Sequence, residues 1–207
     1  MENSPETLTF QFLGSDVCLD FINTQLMANG QPVDLLHSFS DLVAWSIEAG
    51  IISPGQGEAL IQNWAGHPKA DQVFEQALAL RATLKELVIR FGQRADISES
   101  SLELLNELLR ERAGYFEVQI TSAGLHKHFL PRMTEPVDIL VPIAEAAADL
   151  LSSDDPTLVR KCEATDCLIY FYDTTKNHAR RWCSMSLCGN RAKAAAHYRR
   201  KRQDVRP

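Results

Sequence analysis

The sequence predicts an α+β fold that is mainly helical and carries a small β-hairpin. Apolar residues recur at helical spacing through roughly the first 150 positions. Two short segments, near residues 115 and 125, alternate between apolar and polar side chains, which is typical of strands. Four of the five cysteines fall after residue 160. These observations divide the chain into a helical N-terminal part and a small cysteine-rich C-terminal part.

Four helices are predicted in the first half of the chain. Apolar spacing indicates a helix over residues 16–27. Ser38 can cap the next helix, which Gly50 ends, and Pro54 can occupy the first position of a third that runs to about residue 64. A long amphipathic helix follows over about residues 71–93.

Shorter elements and a linker complete the N-terminal part. Ser98 or Ser100 can open a leucine-rich helix, and the segments 115–120 and 125–130 predict a hairpin. A final helix is expected over about residues 136–151. Residues 152–156 read SSDDP, a linker composition, so we place a helical domain at residues 1–153 and a second domain at residues 157–207.

Composition favours an ordinary packed protein. Apolar residues make up 45% of the 207 positions. No run of roughly 18 consecutive apolar residues occurs, so we expect no membrane span. The N-terminus lacks the basic region and apolar core of a secretory signal, and we expect a cytoplasmic protein.

Charge is unevenly divided along the chain. Residues 157–207 hold 12 of the 21 Lys and Arg but only 4 of the 27 Asp and Glu. The first 156 residues therefore hold 9 basic and 23 acidic side chains. Nucleic acid should repel the acidic part and attract the basic part.

The cysteine spacing predicts a zinc site. Cys162 and Cys167 form one C-x4-C pair, and Cys183 and Cys188 form a second pair after a spacer of fifteen residues. Two close pairs can supply the four vertices of a tetrahedral site, and four thiolates suit one structural Zn²⁺ ion. Two disulfides could use the same residues, but a reducing compartment and the odd cysteine, Cys18, disfavour them.

The residues between and after the cysteine pairs indicate how the pairs meet. Residues 168–172 (LIYFY) predict a strand, residues 179–182 could return as a second strand, and the sequence after Cys188 favours a helix. This order predicts a treble-clef-like zinc finger, with the helix N-terminus directed at the thiolates. Because the module has little apolar core, we expect metal removal to unfold it and leave the N-terminal helices folded.

The segment WCSMSLCGNRAK resembles the signature of the CGNR zinc-finger proteins, a bacterial family. The residues that match are Trp182, Cys183, Ser184, Met185, Cys188, Gly189, Asn190, Arg191 and Lys193. The upstream C-x4-C pair and the FYDTT segment match as well. Residues 13–24 (LGSDVCLDFINT) resemble the N-terminal ABATE domain of this family, a helical domain described as a stress-induced transcription regulator. The resemblance implies a role in transcription and in the stress response.

Basic side chains around the finger are candidates for contact with nucleic acid. They are Arg180, Arg181, Arg191, Lys193, Arg200, Lys201 and Arg202. Cationic groups on a rigid helix can meet a phosphate backbone, although Arg191 could instead brace the zinc loops and a basic helix end can simply be solvated. Spacing and charge support only a zinc-dependent nucleic-acid-binding module, and the resemblance adds the transcriptional assignment.

Polar residues in the helical part are candidates for a small-ligand pocket. Asp20 and Asn23 lie three positions apart in an apolar stretch, and Arg81 could pair with Asp20. Polar groups that are buried need partners. The alternative interpretation is a structural network that fixes the packing of the helices.

We therefore predict a transcription regulator. Its finger binds DNA, and its N-terminal domain senses a small-molecule effector or forms a homodimer. The alternatives are a zinc-stabilised protein-interaction module and an RNA-binding module without DNA specificity. No nucleophile motif, phosphate loop or metal-hydrolase helix is visible, so we do not expect an enzyme.

Overall fold

The computed structural model describes residues 8–152 and 155–203, with the backbone alone at residues 198, 200, 202 and 203. Within these residues the chain is mainly helical and carries three antiparallel two-stranded sheets, which confirms the predicted fold class. The linker predicted at residues 152–156 falls partly outside the described residues. Among the described residues, no helix combines the length and the apolar character needed to cross a bilayer.

Seven α-helices and six strands organise the described part of the chain. The helices are α1 (Val17–Ile22), α2 (Phe39–Glu48), α3 (Pro54–Trp64), α4 (Pro68–Gly92), α5 (Glu103–Arg110), α6 (Leu140–Leu151) and α7 (Asn190–Gln203). The strands are β1 (Gln25–Ala28), β2 (Gln31–Asp34), β3 (Gly114–Thr121), β4 (Gly124–Pro131), β5 (Val159–Lys161) and β6 (Tyr170–Tyr172). Each sheet pairs consecutive strands, β1 with β2, β3 with β4 and β5 with β6.

Capping residues start the early helices as their sequences predict. The Ser38 side chain accepts a hydrogen bond from the Asp41 amide and caps α2. Ser53 and Gln56 form a reciprocal capping box at α3, with Pro54 in the first turn. These local signals confirm the predicted starts of both helices.

Helix α4 is the centre of the hydrophobic core. Its buried face includes Ala77, Leu80, Leu84 and Leu87, and helices α1, α2, α5 and α6 pack around it. Each fully buried leucine stabilises the fold by about 1.5–3 kcal/mol relative to an exposed one. The helix begins at Pro68, three residues before the predicted start.

The helix predicted over residues 16–27 is wrong beyond Ile22. Helix α1 ends there, and β1 pairs with β2 across a turn at Asn29 and Gly30. Both turn residues have positive φ angles, 51° and 77°, which Asn-Gly tolerates well and which suit a tight hairpin. The turn reverses the chain so that β2 runs antiparallel to β1, and the apolar residues just before the turn therefore lie in strand β1.

A partly buried ion pair joins this hairpin to α4, and it corrects the predicted partner of Arg81. The Arg81 Nη1 atom donates to Asp34 Oδ1 at 2.8 Å and to Thr24 Oγ1 at 2.7 Å, and Nη2 contacts the other Asp34 oxygen. Burial raises the pKa of Asp34, but hydrogen bonds from Arg81 and the Leu36 amide outweigh it and leave that pKa below its ordinary value. Asp20 therefore does not pair with Arg81.

The second strand predicted in the finger, over residues 179–182, is wrong. Strand β6 pairs with β5, which precedes the first cysteine, in the register Val159↔Tyr172 and Lys161↔Tyr170. Residues 179–182 are irregular. The first cysteine pair therefore lies in the loop of a hairpin rather than ahead of one.

The finger is joined to the helical part through the backbone of β6. The buried Asn23 side chain donates from Nδ2 to the Tyr170 carbonyl at 2.8 Å and accepts from the Tyr170 amide at 2.9 Å. The Tyr172 amide donates to the Gly14 carbonyl at 2.8 Å. Asn23 thus satisfies both polar groups of one β6 residue, as a neighbouring strand would.

Replacing Asn23 with alanine should strongly destabilise the protein. The change leaves the amide and carbonyl of Tyr170 without partners, and each buried orphan costs about 1–3 kcal/mol. We expect the free energy of unfolding in urea to fall by about 2–5 kcal/mol. Asn106→Ala, on the exposed face of α5, is the matched control and should change it by less than about 0.5 kcal/mol. Equal stabilities for the two variants would contradict this role.

Candidate metal centre

Four cysteines converge at the C-terminal end of the structure. Cys162 and Cys167 lie in the loop between β5 and β6. Cys183 lies just before a π-helical turn over Met185–Gly189, and Cys188 lies within this turn, which leads into α7. All four are buried, and their sulfur atoms lie within 4.8 Å of one another. These four residues are the four-cysteine cluster.

The spacing of the sulfur atoms fits a tetrahedral zinc site. Cys183 Sγ lies 3.8 Å from Cys167 Sγ and 3.6 Å from Cys188 Sγ. A tetrahedron with Zn–S bonds of about 2.3 Å has edges of about 3.8 Å. The cluster can therefore bind one Zn²⁺ ion with little movement of the chain.

Crowding within the cluster separates the pKa values of Cys167, Cys183 and Cys188. Hydrogen bonding with Cys183 lowers the pKa of Cys167 to about 5, although burial opposes this shift. The same hydrogen bond, with burial, raises the pKa of Cys183 far above its ordinary value, and burial raises that of Cys188 to about 11. Four thiolates at these distances repel one another, and a divalent cation at their centre removes the repulsion.

Two donors from the surrounding chain support the sulfur atoms. The Cys183 amide points at Cys162 Sγ at 3.4 Å, and Arg191 Nη2 points at Cys188 Sγ at 3.4 Å. Bonds of this kind orient metal ligands and offset their negative charge. Arg191 is thus positioned to brace the zinc loops, which was one of the two roles open to it from the sequence.

The cluster shares a hydrophobic core with the N-terminal part of the chain. Leu26 of β1 is buried against the cysteines together with Ile169 and Phe171, and Leu13 and Leu35 pack at the edge. The metal site therefore has one wall made by the hairpin β1–β2. Loss of the ion should loosen that hairpin as well as the finger.

Gly189 leaves room for a neighbouring side chain rather than for the metal. A Cβ atom at this position would lie 2.7 Å from Met185 Sδ and 3.1 Å from the Trp182 ring. Any larger residue would displace Met185 and disturb the turn that carries Cys188.

Arg180, which was predicted to contact phosphate, donates hydrogen bonds to backbone carbonyl groups of the same chain. Its Nη2 atom donates to the Leu13 carbonyl at 2.9 Å and to the Cys183 carbonyl at 2.5 Å. Its Nε atom donates to the Trp182 carbonyl at 3.1 Å, and its guanidinium lies 4.1 Å from the Phe171 ring centroid. Arg180 joins the finger to the N-terminal segment, so we do not retain it as a phosphate contact.

The other predicted basic residues differ in their exposure and in their contacts within the chain. Arg181 pairs with Glu163 at 2.7 Å, although its side chain remains 62% exposed. Lys193 and Lys201 are exposed on α7. The side chains of Arg200 and Arg202 lie outside the described part of the structure. Sequence reasoning missed Arg199, an exposed cation on α7 that the run of adjacent basic residues already indicated.

The three residues proposed to form a ligand pocket have separate structural partners. Asp20 Oδ1 accepts the Gly14 amide at 2.6 Å, Asn23 binds Tyr170, and Arg81 binds Asp34. Burial raises the pKa of Asp20 to about 6, although the Gly14 amide lowers it. These contacts favour the packing network over the pocket.

Comparison with known protein families adds two matches. The family described as a putative stress-induced transcription regulator, ABATE, matches residues 15–154, about two thirds of the chain. The CGNR zinc finger matches residues 159–201. Neither description is that of an enzyme. No curated protein matches the chain.

Replacing Arg191 should weaken zinc binding, because its guanidinium supports the Cys188 sulfur. We expect Arg191→Ala to lower the affinity for Zn²⁺ by about 10–100-fold in competition with a chromophoric chelator. Lys193→Ala removes the same charge two residues away and should leave the affinity unchanged within about twofold. Equal affinities in the two variants would show that Arg191 does not act on the metal centre.

Proposed function

Since the chain belongs to the ABATE family, whose description is putative stress-induced transcription regulator, we propose that it is a DNA-binding regulator whose helix α7 contacts the duplex. The observation that carries the proposal is the exposure of α7. None of its described side chains is buried, and its described cations are Arg191, Lys193, Arg199 and Lys201.

Zinc would serve this function structurally. Cys162, Cys167, Cys183 and Cys188 would hold the ion, and four thiolates leave no coordination position for water or substrate. The ion would fix the loop after β5 and the turn before α7 relative to each other. Helix α7 would then leave the finger in a defined direction.

Helix α7 is expected to be more stable when it is bound to a partner than when it is exposed to water. An isolated helix of 14 residues is marginal in water, and beyond the first turn of α7 none of the described side chains is buried. Close contact with phosphates would neutralise its cations and stabilise it. At about 21 Å its length suits a single crossing of the major groove.

The cations of α7 are distributed around the helix. At 100° per residue, Arg199 lies at about 80°, Lys193 at about 200° and Lys201 at about 280° from Arg191. A helix inserted in a groove has phosphates on both sides, whereas a helix on a flat surface needs charge on one side. This distribution favours a groove of duplex DNA.

The rest of the chain would limit contact with DNA to the finger. The first 156 residues hold 23 acidic and 9 basic side chains, so their net charge repels a polyanion. The helical domain would then lie away from the duplex. There it would sense a small-molecule effector or join two copies.

Exposed apolar residues beside α7 favour a second candidate, a protein-interaction module. Met185 and Leu187, on the turn before α7, are 50% and 53% exposed. An apolar pair next to a basic helix suits an acidic protein partner. RNA binding would instead appear as better competition by single strands than by duplex.

Removing single cations from α7 should weaken DNA binding broadly. We expect Lys193→Ala and Lys201→Ala each to lower the affinity for random duplex DNA and to reduce the salt slope of log K by about one. Lys85→Ala, in the acidic helical domain, removes the same charge away from α7 and is the control. Fluorescence anisotropy at several salt concentrations measures all three.

Two outcomes of these titrations would count against DNA binding through α7. Unchanged affinity and slope in both α7 variants would contradict the proposal. An effect of equal size in Lys85→Ala would point to long-range charge alone.

A further inference from the structure

The hairpin β3–β4 has one mainly apolar face and one mainly polar face. Directly opposed residues share a face, so the register places Phe116 with Phe129, Val118 with Lys127 and Ile120 with Leu125 on one side. We call the five apolar residues of this set the apolar face; Lys127 lies among them, with its ammonium 4.1 Å from the Phe116 ring centroid. Phe116, Val118, Ile120 and Leu125 are 58%, 63%, 87% and 75% exposed.

Such a hairpin is not expected to stand alone in water. A two-stranded sheet is marginally stable, and three or more strands or a packed helix are needed for independent stability. The opposite face carries Glu117, Gln119, His126 and His128, with Tyr115 and Leu130 at its end away from the turn, so most of the hairpin's large apolar side chains lie on one side. A segregated apolar patch of this kind marks a contact surface.

The two outer edges of the hairpin differ in their ability to accept another strand. In the described part of the chain the sheet contains β3 and β4 alone, so both edges are open. Strand β4 carries Lys127 and Pro131, and Lys and Pro are residues that oppose pairing at an edge. Strand β3 has neither and is rich in aromatic and β-branched residues, so its edge is the one open to pairing.

We propose that two copies of this chain join through their β3 strands, which pair antiparallel about a two-fold axis and form a four-stranded sheet. The two-fold puts the same face of both copies on the same side. The apolar faces therefore become continuous across the interface.

The charge on β3 selects the register of this pairing. An axis at Glu117 would oppose two carboxylates directly, which is destabilising. An axis at Val118 instead pairs all residues from 115 to 121 and sets Glu117 opposite Gln119 of the second copy. It also sets Phe116 opposite Ile120 of the second copy, an aromatic and β-branched pair that stabilises sheets.

Pairing of two copies through β4 instead of β3 would oppose identical polar groups at the two-fold axis. A two-fold axis at Lys127 opposes two ammonium groups, and an axis at His128 or His126 opposes two imidazoles. In the β3 arrangement these residues lie on the outer strands, away from the axis. The second copy is therefore the occupant that fits the β3 edge.

Joining of two copies is part of the proposed function, and the biological purpose of the β3 pairing rests on that proposal. A two-fold dimer would carry two copies of α7 and would suit a palindromic DNA site. Its test uses zinc-loaded, full-length protein without DNA. Failure of the dimer would leave DNA contacts of single chains measurable, and failure of DNA binding would leave the oligomeric state unchanged.

Opposite charges placed at Gln119 should move the dimer Kd in opposite directions. Gln119→Lys sets an ammonium opposite Glu117 of the second copy at two symmetric positions, and Gln119→Glu sets a carboxylate there. We expect dimerisation to strengthen about 2- to 30-fold in the first variant and to weaken by a similar factor in the second. Sedimentation velocity from roughly 1 μM to 1 mM measures both against the unchanged chain.

Three results would overturn the β3 pairing. They are a monomer throughout this concentration range, shifts in the same direction for both Gln119 variants, and no shift in either. A concentration-dependent dimer with opposite shifts would support it.

A second pair of variants separates edge pairing from packing of the apolar faces. Val118→Glu places two carboxylates at the axis and should weaken the dimer at least about tenfold, while within its own hairpin the new carboxylate lies opposite the Lys127 ammonium and is not repelled. Leu125→Glu puts the same charge on the same face of the outer strand and should change the Kd by less than about threefold. Both side chains are exposed, so circular dichroism and Tm should match the parent. Equal loss in both variants would contradict pairing at β3.

Discussion

Four sulfur atoms around one cation set the geometry of the C-terminal part of this protein. Sulfur separations of 3.6 and 3.8 Å match the edges of a tetrahedron around zinc. That requirement brings the loop after β5 to the turn before α7. Because α7 buries none of its described side chains, its direction depends on how its first turn is held. The cluster therefore determines where the basic residues of α7 are presented.

The metal centre and the helical part of the chain are joined by buried contacts. Asn23 bonds both backbone groups of Tyr170, Leu26 packs against the cysteines, and Arg180 reaches back to the Leu13 carbonyl. Each contact crosses from the N-terminal part to the finger. A change in the packing of α1 would consequently reach the cluster through a buried hydrogen-bonded pair. This gives the proposed sensing domain a direct physical route to α7.

Sequence predicted features that depend on local chemistry and missed those that depend on distant partners. Capping by Ser38 and the spacing of the cysteines are local, and the structure confirms both the cap and the gathering of the four cysteines. The Asn29-Gly30 turn is also local, but the apolar residues before it have helical spacing, which predicts a helix where the structure has a strand. Pairing of Arg81 with Asp34 could not be predicted, because it requires the hairpin that ends in Asp34. The charge of Arg180 likewise could not show that its guanidinium donates hydrogen bonds to carbonyl groups of the same chain.

X-ray absorption at the zinc edge, on freshly purified and reduced protein, tests the central claim most directly. The account predicts one zinc per chain, surrounded by four sulfur atoms at about 2.3 Å with no nitrogen or oxygen neighbour. Metal well below one equivalent, or a shell that includes imidazole or water, would contradict it. Either result would remove the constraint that positions α7.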